Sequence, residues 1–516
     1  MSGCQWRRAT DNASRMCERM ATTTPTNTTT AVSAVDLVKS LRLLDATTIV
    51  MGSMIGSGIF IVAADVARQV RSPGLFILAW VLSGLMTVAA AITYGELAAM
   101  MPKAGGQYVY LREAFGPLFG FLYGWTFFLV IQTGTHAAVG VAFGKFLGVF
   151  VPWVSAGNIL LNLGSVHVFG RALGLTLSSQ QLVAILAILF LSVVNVFGLR
   201  TGAWVQNIFT ILKVGTLLGM VGLGLWWVSR PASLPAPVAP AGQGTEWGLA
   251  ALTIVSVALV GPLFSSDAWN NVTFTGAEVI NAKRNLPLAL LLGTTVVCTL
   301  YLACSWVYLR VLPFFGSPTG VGPLERGIQY AAEDRVATAA MQIVLGNAGS
   351  WLMAAAIMVS TFGCLNGMIL AGARVYYAMA KDGLFFSAVA RVNPKYHTPV
   401  VSLLVQALWA ALLTLTGTYS ELLDYVIFAV VLFYILTIAA VFQLRRTRPH
   451  APRPYRAWGY PVLPALYIGF ALFVEWALLT HKTQRSLAGL LIVALGIPAY
   501  YLWQRRSTHA QGVASR

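Results

Sequence analysis

Twelve mostly apolar runs divide the chain, at about 46–66, 75–100, 116–150, 181–198, 203–228, 250–276, 287–310, 350–379, 399–418, 423–444, 461–480 and 486–503. A helix that crosses a bilayer needs roughly 20 such residues. The pattern predicts an all-α integral membrane protein of 12 transmembrane helices, the third long enough to tilt strongly. Pro, Gly or Arg bounds many runs, as at Ser72-Pro73-Gly74 and Arg284-Asn285-Leu286-Pro287, where helices are expected to end. Ahead of the first run, residues 1–42 are rich in Thr, Ser, Ala and Arg and read as a disordered tail. No apolar stretch follows Arg7 and Arg8 closely enough for a cleaved signal peptide, so the first span is expected to direct insertion.

Two runs carry interruptions. In the first, Gly52-Ser53-Met54-Ile55-Gly56-Ser57-Gly58-Ile59-Phe60 places three glycines within seven residues, each weakening a helix by about 1 kcal/mol relative to Ala. Gly52 and Gly56 also form a small-xxx-small pattern, so close helix packing is one reading. The other is a broken helix whose free N–H groups at Gly56, Ser57 and Gly58, with the positive end of the second half-helix, bind a carboxylate. In the sixth run, Phe264-Ser265-Ser266-Asp267-Ala268-Trp269-Asn270-Asn271 is polar and holds an acid, which lipid does not tolerate unless the segment lines a cavity. Runs one and six are matching members of two five-helix halves, the pattern of an inverted-repeat carrier with a midplane site. Lys213 lies near the middle of the fifth run, roughly 15 Å from either end and too deep to snorkel fully. It either bonds to carbonyls of a broken neighbour or takes part in a transport cycle.

Composition agrees with a membrane protein: 57% of residues are hydrophobic and 10% charged, against about 25% charged in an ordinary globular domain. Disorder, a collagen or coiled-coil rod and a disulfide scaffold are excluded. The net charge of +17 would suggest nucleic acid on a soluble protein, but here it is sided. With loops numbered alternately, the side that holds the N-terminus has 23 of the 34 Lys and Arg, against 10 on the other side, with Lys213 between. The acids divide eight and eight, with Asp267 in the membrane. By the positive-inside rule both termini are expected in the cytoplasm. The Arg445-Arg446-Thr447-Arg448 cluster and the Lys381-Asp382-Gly383 loop read as topology anchors and headgroup contacts, and Trp153, Trp226 and Trp227 as interfacial anchors. Cys298, Cys304 and Cys364 lie in apolar runs and read as reduced thiols. His136 reads as a packed histidine or, against that, a proton relay. There is no metal-ligand spacing and no Walker-type phosphate loop, so no metal, no cofactor and no ATP drive are expected, and no enzyme activity is proposed.

An ordered series of motifs runs from about Leu44 to about Pro464. It comprises Gly56-Ser57-Gly58-Ile59-Phe60, then Tyr94-Gly95-Glu96-Leu97, then Pro102-Lys103-Ala104-Gly105-Gly106-Gln107-Tyr108. Val194-Asn195, Val205-Gln206, Lys213, Trp269-Asn270 and Gly276-Ala277-Glu278-Val279-Ile280-Asn281 follow. Lys283-Arg284-Asn285-Leu286-Pro287, Asn366-Gly367, Arg453-Pro454-Tyr455-Arg456 and Gly459-Tyr460-Pro461 complete it. This series resembles the amino acid–polyamine–organocation superfamily and, within it, the L-type amino acid transporters. The resemblance implies a leucine-transporter-type fold: an inverted repeat of spans 1–5 (residues 43–228) and 6–10 (248–444), two further helices (457–504) and a cytoplasmic tail (505–516). It implies that the backbone from Met54 through Gly56, Ser57 and Gly58 holds the substrate carboxylate. The stretch Phe264, Ser265, Ser266 and Asp267 would receive the amino group, with Phe264 as an aromatic gate. Lys213 matches a family lysine near spans one and eight, and with Asp267 and Thr361 it is assigned to coupling or conformational change, which argues for sodium independence.

Two departures stand out. Residues 151–180 contain no cysteine, so the disulfide-linked heavy chain of animal relatives is not expected. Asp267 stands where better-known members have a small residue; it could pair with an α-ammonium, accept a basic side chain, carry a proton or bond to free N–H groups of the break. The expectation is a sodium-independent secondary transporter of L-amino acids, neutral by default, working as an exchanger or proton symporter by alternating access. A prokaryotic plasma membrane and a monomer are the expected setting. The alternatives are a cationic amino acid or polyamine carrier using Asp267, an amino acid sensor that does not transport and, third, a channel.

Overall fold

The computed structural model describes residues 37–168, 171–197, 199–230, 248–416 and 419–514. The expected disordered tail therefore lies outside the described residues up to position 36. Among the described residues, ten helices are long and apolar enough to cross a membrane. The first apolar run forms α1 (Leu43–Met54) and α2 (Gly58–Val70), separated where Ile55 leaves helical geometry at ψ 86°. Next come α3 (Pro73–Met100), the short α4 (Gln107–Phe115) and α5 (Pro117–Leu147). Ser72 accepts a bond from the Leu75 N–H and Pro73 occupies the first turn of α3, where its missing N–H costs nothing.

The loop after α5 departs from the all-α expectation. It folds into an antiparallel hairpin, β1 (Ile159–Val168) with β2 (Arg171–Ser178). Leu173, Leu175 and Leu177 alternate with Gly174, Thr176 and Ser178, a period of two that a search for 20-residue apolar runs passes over. A reciprocal cap of Ser178 and Gln181 then starts α6 (Ser179–Val196), and α7 (Leu199–Val228) follows.

The sixth run is not one helix but three: α8 (Leu249–Ala258), α9 (Val260–Ser265) and the single turn α10 (Asn271–Phe274). Pro262 has no N–H to give the Ala258 carbonyl, which weakens the helix at Leu259. After Ser265 the chain unwinds, with Ala268 at φ 64°. The remaining helices are α11 (Ala282–Val311), α12 (Val336–Lys381), α13 (Val400–Thr414), α14 (Tyr419–Thr447), α15 (Val462–His481) and α16 (Thr483–Ala514). α12 begins before the expected eighth span and turns at Gly346, φ 68°. α8 and α13 are apolar but shorter than a full crossing. α1 packs against α7, α11 and α12, so the break after Met54 lies among three other helices.

Candidate functional site

Where α1 ends, the backbone carbonyls turn away from the helix and need donors. Side chains from three helices supply them. Lys213 Nζ on α7 donates to the Gly52 carbonyl at 2.7 Å, and Cys364 Sγ on α12 to that of Ser53 at 3.0 Å. Tyr301 Oη on α11 donates to the Met54 carbonyl at 2.9 Å. Ser360 Oγ on α12 reaches the carbonyls of Ile55 and Gly56 at 3.1 and 3.0 Å. The carbonyl side of the break is thus answered by protein side chains, and within the break the Gly56 N–H donates to the Met54 carbonyl at 2.9 Å.

The second break meets the first. A methyl group added at Gly58 would lie 2.7 Å from Ser265 Cα, so the start of α2 and the end of α9 are in backbone contact. Ser265 Oγ donates within its own helix to the Gly261 carbonyl at 2.9 Å. Ser266 Oγ is 3.4 Å from Ser83 Oγ on α3. Phe264 is buried, and Asp267 Oδ1 accepts a 2.5 Å hydrogen bond from Tyr434 Oη on α14. Two narrow cavities flank this segment. Gln107, Gln132, Thr135, Asn270 and Tyr434 help to line one, and Met86, Thr87, Trp269 and Tyr467 the other; Asp267 borders both.

Of the residues singled out in the sequence, Met54, Gly56, Ser57, Gly58, Phe264, Ser265, Ser266 and Asp267 fall within one continuous buried region. Lys213 reaches the α1 end of it. It forms no ion pair with Asp267 among the described residues, although the two are the charges placed in the membrane by sequence. Thr361 turns its hydroxyl back to the Ile357 and Met358 carbonyls of its own helix, while its neighbour Ser360 reaches the break. Ser360, Cys364, Tyr301, Gln107 and Tyr434 had not been singled out as site residues. A lone hydroxyl or thiol in an apolar run has no local pattern to mark it.

Both ends of this region are tied shut. At one end Leu41 bridges to Val279, and Arg374 pairs with Glu278 at 3.1 Å, both side chains 1% exposed. There too, Glu96 accepts from Arg445 at 2.9 and 2.6 Å and from the Ala457 N–H at 2.8 Å. Arg453 lies 3.3 Å from the same carboxylate, so the Tyr94–Leu97 and Arg453–Arg456 motifs meet. Arg445 is thereby a partner of a buried acid and not a headgroup contact, because Glu96 inside the bundle needs a cation. Asp382 accepts from Arg112 and, at 2.7 Å, from Tyr108 Oη; burial and this carboxylate hold the Tyr108 phenol above its ordinary value. At the other end Arg68 pairs with Asp334 at 2.6 Å and donates to the Gln329 carbonyl at 2.8 Å.

The sequence-family profile described as "Amino acid permease" matches residues 41–497. The chain is 30% identical over 472 residues to the "Serine/threonine exchanger SteT" of Bacillus subtilis (strain 168), covering 91% of this chain and 98% of that protein. It is 29% identical over 478 residues to "Large neutral amino acids transporter small subunit 2" of Homo sapiens, covering 92% and 82% respectively. A similarity of 28% over 472 residues extends to "Asc-type amino acid transporter 1" of Homo sapiens, covering 92% and 83%.

Proposed function

The chain belongs to the amino acid permease family and is an amino acid transporter, a multi-pass membrane protein and not an enzyme; from that premise we propose that it carries small neutral L-amino acids by sodium-independent alternating access. The substrate carboxylate would rest on the N–H groups at Gly56, Ser57 and Gly58, next to Met54, the Gly56 N–H turning to it from the Met54 carbonyl that it meets at 2.9 Å without substrate. The amino group meets the carbonyls of Phe264, Ser265 and Ser266, with Asp267 beside them, and Phe264 closes over the substrate. The observation that carries this reading is the contact of Gly58 with Ser265, which puts positive and negative backbone ends side by side as a zwitterion requires.

On this reading the chain crosses the membrane twelve times, with α8 to α10 as the sixth span and α13 as the ninth. Residues 43–228 and 248–444 form inverted five-helix repeats, followed by two helices within 457–504. Lys213 holds the first half of span one through Gly52 and moves with it in the cycle; Thr361, one turn along from Cys364, belongs to the same seam. The charge bias supports cytoplasmic termini; the setting we propose is a prokaryotic plasma membrane. The cysteine-free stretch 151–180 supports transport without a disulfide-linked heavy chain, and we take the carrier as a monomer.

Polar groups around the Asp267 cavity favour a small polar side chain, and a relative named a serine/threonine exchanger agrees with that. Asp267 on both cavity walls supports a second reading, a basic side chain or polyamine. Purified protein in liposomes, preloaded with each of the twenty amino acids in turn, tests both. Saturable counterflow of serine, threonine or alanine is expected. Counterflow of lysine or polyamines alone would favour the second reading, and binding without flux would make the protein a sensor.

A further inference from the structure

Glu475 on α15 is 6% exposed, and both of its carboxylate oxygens lack a hydrogen-bond partner among the described residues. Every other fully buried acid on the page is held: Glu278 by Arg374, Glu96 by Arg445 and Arg453, Asp267 by Tyr434. α15 packs against α3, α8, α14 and α16. Their described titratable side chains are Tyr94 and Glu96 on α3, Tyr434, Arg445 and Arg446 on α14, and Arg485, Tyr500, Tyr501 and Arg505 on α16; α8 has none. His481 and Lys482 lie at the end of α15 itself. No hydrogen bond or ion pair joins any of these to Glu475. An ionised carboxylate covered by protein at membrane depth, without a cation or donor, takes up a proton instead.

The surroundings of Glu475 tie it to the moving parts. α8, the outer half of the broken sixth span, lies across α15, and its Ser256 hydroxyl is also buried without a partner. Tyr467, eight residues earlier on α15 and about 12 Å along its axis, lines the cavity that Asp267 and Tyr434 border. Rocking of the broken helices would draw α8 off α15 and admit water to the carboxyl. Resting on the transport reading above, we propose that Glu475 is the proton-binding site of this carrier: it takes a proton from water when the carrier is open to one side, keeps it in the closed form, and gives it to water when the carrier opens to the other side. One proton is taken from one side as Glu475 goes from carboxylate to carboxylic acid. The same proton leaves to the other side when the carboxylate re-forms, so amino acid and proton travel together.

The test uses full-length protein in liposomes with the membrane potential clamped, an acid exterior one pH unit below the interior, and radiolabelled serine or whichever amino acid gives counterflow. One coupled proton allows about tenfold accumulation per pH unit, since each unit is a factor of ten in proton activity. Wild type is expected to approach that ratio, Glu475→Gln to stay near one, and Glu475→Asp to keep part of the response. Counterflow without a gradient serves as the control that each variant is folded and binds substrate. If that control fails in Glu475→Gln, the response of Glu475→Asp decides: an undiminished ratio there would overturn the proposal. A wild type that exchanges but ignores the gradient, or a Glu475→Gln variant that accumulates as wild type does, would overturn it too. Absence of counterflow in wild type would instead refute the transport reading.

Discussion

Gly58→Ala puts one methyl group at the contact between the two breaks. That carbon would sit 2.7 Å from Ser265 Cα and 2.8 Å from Ser265 Cβ, where ordinary carbon contacts are about 3.5–4.0 Å. Cα is backbone and cannot rotate aside, so α2 and α9 must separate by roughly 0.8 Å or the closed form must be given up. Overpacking of this kind costs about 1–3 kcal/mol, equivalent to about 5- to 150-fold in the population of the closed state. Gly56→Ala is the internal comparison. Its methyl would meet Cys364 Sγ at 3.0 Å, the end of a side chain that can give way. Counterflow with saturating substrate should therefore fall by at least about fivefold in Gly58→Ala and by less than threefold in Gly56→Ala, with both proteins monodisperse. Bulk at Gly56 beyond one methyl, as in Gly56→Val, should abolish binding. Wild-type flux in Gly58→Ala, or a larger loss in Gly56→Ala, would refute the contact as the closing surface.

Three further outcomes are expected. Tyr434→Phe and Asp267→Ala both break the 2.5 Å hydrogen bond, so their effects on substrate affinity should be non-additive by about 1–2 kcal/mol in a double-mutant cycle; additive effects would separate the two residues. Lys213→Ala leaves the Gly52 carbonyl without its donor and should lower flux tenfold or more. Its melting temperature should fall by only a few degrees, because about 1–3 kcal/mol is small for a chain of 516 residues. Wild-type flux would remove Lys213 from the cycle. Glu278→Gln strands the buried Arg374 guanidinium at about 3–5 kcal/mol, and a thermal-stability assay should show it clearly destabilised. The double variant with Arg374→Met should recover part of the loss, and a Glu278→Gln protein as stable as wild type would disprove the pair's importance.

Ten membrane-length helices were legible among the described residues because each is a property of many residues at once, and a misjudged boundary changes little; the sixth and ninth runs gave shorter helices. The ends of the breaks were legible for the opposite reason. Gly56, Gly58 and Asp267 are locally unfavourable for a membrane helix, which pointed to a break as one of two readings, close helix packing of the glycines being the other. What answers the breaks was not legible. Tyr301, Ser360 and Cys364 satisfy the carbonyls from Ser53 to Gly56, yet each is a single weakly polar residue in an apolar run, indistinguishable from one that bonds to its own helix. Thr361 makes the point: it differs from Ser360 by one position and a methyl group, and its hydroxyl bonds within α12.

Glu475 shows how position along a helix can mislead. It lies six residues from the end of α15, a depth at which an acid reads as interfacial and reaches water. Depth alone does not decide hydration, because a side chain must also point to the lipid-facing side to escape. At 6% exposure Glu475 points inward, towards the seam that α15 shares with its neighbours. The same holds in reverse for the exposed residues of this helix. Leu466, Leu472 and Trp476 are 65%, 53% and 50% exposed, which is costly in water and favourable in lipid. An apolar outer face and an acid on the inner one invert the amphipathic pattern of a soluble helix. That inversion makes the charge on α15 a matter for the bundle's interior and leaves lipid to cover the rest.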